Sequence, residues 1–241
     1  MSDIWTMVWK EWNELVLQGG RAQYIRPVIL IGIMGVALPL RIGRTWLELP
    51  IYVLLILLYV PFFTIISFIG DAIAGERERH TLETLLASRI SDRAILLGKV
   101  IVTVAFTWAL ALAGLVLGAI TANLSKVDKT VDGGWTFYHP LDVLVEAIAL
   151  SLLVTLLAAS GGVLVSLRVS TVRQAQQVLI VGTVVLMFGG LLIISLLPGD
   201  LLASFTYSQL LLIGIAVVAV LDAILLALSL VSFQRSRLIL S

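Results

Sequence analysis

The sequence predicts an all-α membrane protein with six transmembrane helices, an N-terminal amphipathic interfacial helix and a short cytoplasmic helix between spans 2 and 3. Two observations predict this fold class. Of the 241 residues, 60% are hydrophobic and only 13% are charged, whereas soluble domains contain roughly 45–50% apolar residues. The apolar residues also form long uncharged blocks rather than an amphipathic pattern, which is typical of helices surrounded by lipid. We interpret residues 1–241 as a single membrane domain.

The first element is predicted as an interfacial helix within residues 1–24. Its apolar residues recur at spacings of three and four, with charged residues between them, and tryptophans of this kind favour the depth of the lipid headgroups. A membrane-surface anchor is therefore favoured over a substrate role. The start of the sequence lacks the pattern of a signal peptide, so we expect the first span to be retained. The apolar positions are Ile4, Trp5, Val8, Trp12, Leu15 and Val16.

The spans follow from the length of the apolar blocks, because crossing a hydrocarbon core about 30 Å thick requires about 20 helical residues. The first block, Pro27 to Leu40, is short, but Arg26 and Arg41 at its edges can extend their charges to the headgroups. We therefore count it as a span. The predicted spans are about 25–46, 49–72, 97–122, 143–167, 177–198 and 208–233.

The loop charges predict the orientation, since lysine and arginine favour the cytoplasmic side. With six spans, only four of the sixteen basic residues fall on one side, namely Arg41, Arg44, Lys126 and Lys129. The other twelve fall on the opposite side, together with both termini and the loop 73–96. We expect that side to be cytoplasmic, in a multi-pass protein of the plasma or inner membrane.

Composition also excludes several classes of function. The formal net charge of +1 provides no basic patch for nucleic acid, and the absence of cysteine excludes disulfides, thiolate metal sites and a cysteine nucleophile. The two histidines, His80 and His139, are predicted on opposite sides of the membrane and cannot share a metal ion. We predict no catalytic residue, no metal site and no cofactor bound by this chain.

The loop 73–96 is the most charged segment of the chain. Glu76, Arg77, Glu78 and Arg79 form a cluster of mixed sign directly after the second span. A stripe of apolar residues at helical spacing follows, and Ser91 is suited to cap the helix of the third span. The stripe predicts a short cytoplasmic helix, and a merely solvated, salt-bridged loop is the alternative. Its members are Leu82, Leu85, Leu86 and Ile90.

This segment resembles the corresponding cytoplasmic segment of type-2 ABC transporter permeases, the ABC-2 type. The order and spacing of twelve residues agree with that family, and the six spans and surface helix agree over nearly the whole chain. Two positions differ, because His80 stands where the family usually has glycine and Arg89 where proline is common. The agreeing residues are Gly75, Glu76, Arg77, Glu78, Thr81, Leu82, Glu83, Leu85, Leu86, Ser91, Gly98 and Lys99.

The resemblance implies that the loop is a coupling helix, which sits in a groove of an ATP-binding subunit. It implies an exporter with two permease chains, identical or related, and two ATPase chains that hold ATP and Mg. The chain itself has no phosphate-binding loop of the Gly-x-x-x-x-Gly-Lys-Ser/Thr type, so hydrolysis would occur on the partner. The implied ATPase-coupling residues are Glu76, Arg77, Glu78, Arg79, Thr81, Leu82, Glu83, Leu85 and Leu86.

Two acids near or within the spans are candidates for the translocation path or for contacts between helices. Asp222 lies well inside the sixth span, where an ionised acid costs roughly 2.5–3.5 kcal/mol on insertion scales. A hydrogen bond between helices and a pathway role are both open for Asp222. Glu146 lies nearer a span end, and a structural role is favoured there. A secondary transporter or channel working without an ATPase is the alternative function; the substrate is not encoded in any recognisable motif.

Overall fold

The computed structural model describes residues 2–17, 21–81, 87–125, 135–138, 140–196 and 204–233. All regular secondary structure in these ranges is helical, which confirms an all-α chain. The helices are α1 (Ser2–Leu17), α2 (residues 21–42), α3 (Thr45–Glu48), α4 (Pro50–Glu78), α5 (Asp92–Leu124), α6 (Leu141–Ser166), α7 (Val172–Leu196) and α8 (Tyr207–Ser232).

Five of the described helices are long and apolar enough to cross a bilayer: Tyr24–Ile42 within α2, α4, α5, α6 and α8. The short first predicted span is among them. Helix α7 covers most of the fifth predicted span, 177–198, but it is not one of the five. The count of six spans therefore stays a prediction.

Helices α2 and α4 contain wide π-helical turns that accommodate their prolines. Pro39 and Pro61 have no N–H to donate to the carbonyl four residues earlier, and those carbonyls belong to Gly35 and Leu57. Both lie inside the π-helical segments Ile33–Ala37 and Leu55–Tyr59. The widened turns therefore absorb the missing hydrogen bonds without ending the helices.

The described helices pack around three buried apolar clusters, two of which lie at opposite ends of the bundle. One contains Met7 of α1 with Ile69, Leu96 and Val163, and we call this end the α1 end. The other is built around Trp46 and is closed by Tyr138, whose hydroxyl donates to Leu115 O at 2.8 Å. The larger described helices α4, α5 and α6 contribute to both clusters.

Helix α1 lies against the start of α5 and not only along the membrane surface. Met7 is completely buried, and a Cβ on Gly98 would lie 2.6 Å from Met7 Cγ, so glycine allows the close approach. Trp5 and Trp9 on the other side of α1 are 71% and 63% exposed. The helix therefore has one face toward the protein and one toward the surroundings, where the tryptophans suit lipid headgroups.

Helix α8 is held mainly through one stripe that faces α6. Its buried residues are Leu211, Asp222 and Ser229, at spacings typical of one helix face. Ser229 Oγ donates to Ser160 O of α6 at 3.2 Å. Most of the remaining α8 surface is exposed in the single chain.

Candidate functional site

The charged residues that follow the second predicted span form the last turn of α4. This helix has 29 residues and is therefore about 43 Å long, well beyond the roughly 30 Å of a hydrocarbon core. Residues 73–78 of the predicted loop are thus helical, and they extend past the apolar part of the span. We call Glu76, Arg77, Glu78 and Arg79 the hub.

A backbone motif ends α4 directly after the hub. Thr81 N donates to Glu76 O at 2.9 Å and His80 N donates to Arg77 O at 3.1 Å, which is the pair of bonds of a Schellman motif. His80 has a φ of 57°, in the left-handed region where glycine is preferred. The family that this loop resembles usually has glycine at this position. A left-handed backbone conformation accounts for that preference, and His80 adopts this conformation.

Glu76 joins α4 to α5 and α1 through a buried ion cluster. Lys99 Nζ lies 2.8 Å from Glu76 Oε1 and 2.8 Å from Glu11 Oε1, and only 1% of the Lys99 side chain is exposed. Lys10 Nζ lies 3.2 Å from Glu11 Oε1 and 3.6 Å from Glu76 Oε1. Three helices therefore meet at a lysine that is withdrawn from solvent and paired on two sides.

The cluster contains more acids than bases. Glu11, Glu14 and Glu76 oppose Lys10 and Lys99. Partial burial by itself disfavours the Lys10 ammonium, but the three carboxylates outweigh this effect and raise the pKa of Lys10. The three acids also bring oxygens within 4.8 Å of one another, but the two ammonium groups already supply the opposite charge there. The arrangement therefore fits an ion-pair cluster better than a metal site.

Arg77 and Glu78 hold the connection between α6 and α7. The Arg77 guanidinium donates to Val169 O at 3.1 Å and to Leu167 O at 3.2 Å, just after α6 ends. Glu78 Oε2 accepts from Val172 N, the first residue of α7, at 3.1 Å. A cation at a helix C-terminus and an anion at a helix N-terminus are both favoured by the helix dipoles, so each residue has the charge that its position requires.

Arg79 binds back onto its own helix. Its Nη2 lies 2.9 Å from Asp71 Oδ1, and its Nε donates to Gly75 O at 3.1 Å. A Cβ on Gly75 would collide with the Asp71 carboxylate and lie 2.6 Å from Arg79 Nη2. Glycine at position 75 therefore leaves the space that this exposed ion pair occupies.

The hub thus connects five elements through four consecutive residues. Glu76 contacts α1 and α5, Arg77 the end of α6, Glu78 the start of α7, and Arg79 its own helix α4. Each contact is made by a charged group with a specific partner. The end of α4 is therefore tied to α1, α5, α6 and α7 by Glu76, Arg77 and Glu78.

The other predicted coupling residues lie beyond the hub. Thr81 is exposed, and its Oγ1 donates to Glu76 O at 3.2 Å, which adds a further bond to the helix end. Leu82, Glu83, Leu85 and Leu86 lie outside the described residues. Ser91 caps α5 as predicted, since its Oγ accepts from Ala94 N at 3.3 Å.

The two membrane acids both lie between α6 and α8. Ser208 Oγ of α8 donates to Glu146 Oε1 of α6 at 2.5 Å. Asp222 is 3% exposed, and neither of its carboxylate oxygens has a hydrogen-bond partner among the described residues. Glu146 therefore makes a contact between helices, whereas Asp222 is buried in the same seam without a donor.

Sequence reasoning did not assign Glu11 and Lys99 to the site. Glu11 belongs to the predicted surface helix, but it lies one turn after the buried Met7 and shares its face. Lys99 agrees with the pattern of the family that the loop resembles, and it stands in an otherwise apolar part of α5. A lysine inside an apolar helix is the signal that would have indicated a buried partner.

Comparison with known proteins gives one family. Residues 49–209 match the family model described as ABC-2 family transporter protein. No curated protein matches the chain. The matched residues include the hub, Lys99 and the α6–α7 connection, and they cover two thirds of the 241 residues. The chain is therefore a multi-pass membrane protein that belongs to the ABC-2 transporter family, as a membrane-spanning permease.

Proposed function

We propose that this chain is the permease subunit of an ATP-driven exporter, which uses ATP hydrolysed by a separate nucleotide-binding subunit. The observation that carries the proposal is the hub. Three of its four charged residues, Glu76, Arg77 and Glu78, connect α1, α5, α6 and α7 at the end of α4, directly before the segment that resembles a coupling helix. A force applied to that segment would reach four other elements at once.

The proposed coupling step uses Arg77 and Glu78 in one direction and Glu76 in another. Closure of the ATPase on bound ATP would push the segment 82–86, and the end of α4 would move with it. Arg77 and Glu78 would carry the movement to the α6–α7 connection, and Glu76 would carry it to Lys99 and α1. Coupling of this kind needs a contiguous set of contacts with two arrangements, and charged pairs can change partners without disturbing an apolar core.

The partners follow from the family. ABC-2 permeases generally work with an ATPase subunit and dimerise, so the proposed complex has two permease chains and two ATPase chains. ATP and Mg would be held by the ATPase chains, on the α1 end of the bundle. This places the hub and both termini in the cytoplasm, in agreement with the twelve basic residues on that side.

The proposal assigns Asp222 and Glu146 to the contact between α6 and α8. The bond from Ser208 to Glu146 supports this role, because it links the two helices near the end opposite the hub. The burial of Asp222 in the same seam supports it as well. The chemical nature of the transported substrate does not follow from these contacts.

The proposal can be tested by cross-linking, because the chain contains no native cysteine. Single cysteines at Thr84 and at Arg89 should form adducts with a co-expressed ATPase that carries cysteines along its groove. A cysteine at Thr45, which is exposed near the opposite end, is the matched control and should form none. Absence of any ATPase adduct in a complex that still hydrolyses ATP would count against the coupling role.

Transport measurements distinguish an ATP-driven exporter from the alternative, a secondary transporter or channel that works without an ATPase. Reconstituted vesicles with both subunits should require ATP for transport, and a Walker-motif variant of the ATPase should abolish it. Uptake driven by an ion gradient with the purified chain alone would instead support a secondary transporter.

A further inference from the structure

A groove with one cationic side chain opens on the surface between α2, α4 and α7. It has a volume of about 320 Å³. Its walls are apolar except at one end, where Arg26 of α2 and Ser67 of α4 lie. We call it the Arg26 groove; its apolar lining includes Ile29, Phe63, Ile66 and Ile180.

The cation of this groove lies near the end of the apolar part of α4. The apolar part of α4 begins at Pro50 and extends to Gly70. These roughly 20 residues span about 30 Å, the thickness of a hydrocarbon core. The first charged residue, Asp71, follows immediately. Arg26 contacts Ser67, so its guanidinium lies within one turn of the edge of the hydrocarbon, while the apolar walls continue inward.

Arg26 has no carboxylate partner among the described residues. Its one described hydrogen bond is from Nη1 to Ser67 Oγ, at 3.4 Å. The nearest acid along α4, Asp71, is already paired with Arg79. The Arg26 side chain is exposed, so its charge is available to an anion from outside the chain.

We propose that the Arg26 groove binds an anionic phospholipid of the surrounding membrane, with its phosphate on the guanidinium and one acyl chain along the apolar walls. The arginine guanidinium can donate two parallel hydrogen bonds to two oxygens of one phosphate. Basic pockets between helices on this side of a membrane are suited to anionic headgroups. The volume is at the small end of ligand pockets, which span about 300–1,000 Å³. It accommodates a stretch of a single chain, whereas a helix of a second subunit is about 10 Å wide.

The test compares lipid binding by the full-length chain and by four variants in a neutral detergent. Native mass spectrometry counts the lipids retained after addition of phosphatidylglycerol or phosphatidylcholine, and thermal unfolding reports stabilisation by each. Arg26→Gln removes the charge but keeps a donor for Ser67. Arg41→Gln removes an exposed charge at the other end of the same helix and is the matched control.

The apolar wall is tested separately. Ile29→Trp places a bulky side chain into the groove, whereas Val28→Trp changes its exposed neighbour, which does not line the groove. Both positions are exposed, so neither variant disturbs the core.

We expect the original chain and Arg41→Gln to prefer phosphatidylglycerol. Arg26→Gln should lower the affinity for phosphatidylglycerol about fivefold, as expected for one basic residue near an anionic headgroup. Ile29→Trp should weaken the binding of both lipids, whereas Val28→Trp should weaken the binding of neither. Equal binding of both lipids by the original chain, or an Arg26→Gln variant with unchanged preference, would overturn the proposal. Loss of dimer mass in Ile29→Trp with unchanged lipid binding would assign the groove to a second copy instead.

Discussion

Lys99 Nζ lies 2.8 Å from Glu76 Oε1, although the two residues are 23 positions apart and belong to different helices. Only 1% of the Lys99 side chain and 12% of the Glu76 side chain are exposed. The pair is therefore largely withdrawn from water at the point where α1, α4 and α5 meet. A charge that is buried in this way depends on its partner, because the solvation that it has lost is not otherwise replaced.

Replacing Lys99 by Met should strongly destabilise the protein. The variant leaves Glu11 and Glu76 with only the partly exposed Lys10 as a nearby cation. Removal of one partner of a buried pair costs about 3–5 kcal/mol. The free energy of unfolding can be measured by denaturant titration in mild detergent. Lys10→Gln is the control, since that side chain is 36% exposed, and it should cost much less.

The same pair predicts a coupling in a double-mutant cycle. Glu76→Gln should destabilise the original chain. When Lys99 is already Met, the same change should destabilise less, or even stabilise, because it then removes a carboxylate that has lost its buried partner. Additive effects of the two changes would contradict the ion pair.

The neighbouring arginines of the hub should differ in their effect on transport. Arg77→Gln removes both hydrogen bonds to the end of α6, so transport per ATP hydrolysed should fall about tenfold or more, as expected for loss of charge-assisted bonds. Arg79→Gln removes an exposed pair within α4 and should change this ratio by less than twofold. Transport and ATP hydrolysis are measured together in vesicles that contain both subunits. Equal ratios for the two variants would argue against a role for Arg77 in transmission.

The all-α fold and five of the apolar spans were predictable, whereas the contacts of the hub were not. Apolar blocks and Ser91 indicated the spans and the start of α5, because these signals are local. The apolar block predicts the end of the second span near residue 72, but helix α4 continues through a π-helical turn to Glu78. The partners of Arg77 lie 90 and 92 residues away, and no local pattern encodes them.

His80→Gly should stabilise the protein by up to about 1 kcal/mol. The left-handed backbone of His80 costs an L-residue roughly 1–2 kcal/mol, and the greater freedom of unfolded glycine offsets about 0.5–1 kcal/mol of the gain. His80→Ala keeps the backbone penalty and should not stabilise. Thermal unfolding in detergent compares the three proteins. A His80→Gly variant that unfolds at a lower temperature than the original chain would show that the imidazole itself contributes to the fold. A His80→Gly variant less stable than His80→Ala would contradict the left-handed backbone at this position.

Asp222→Asn should leave transport intact if Asp222 serves the contact between α6 and α8. Asparagine has nearly the same shape and fills the same buried position, and it carries no charge into the span. Transport by the reconstituted complex is the measurement, with Asp222→Leu as a variant that lacks any polar group. A complete loss of transport in a folded Asp222→Asn variant would indicate that the carboxyl group takes part in the pathway.

Adjacent glycines of α6 provide a test of helix packing within one turn. A Cβ on Gly162 would collide with Ile69 of α4, which is completely buried and β-branched, whereas a Cβ on Gly161 meets nothing within 4 Å. Gly162→Ala should therefore destabilise the protein by about 1–3 kcal/mol through overpacking. Gly161→Ala should stabilise it by roughly 0.5–1 kcal/mol, because alanine is the better helix former. Unfolding midpoints in detergent compare the two variants with the original chain, and a shift in the same direction for both would contradict the close approach of α6 and α4.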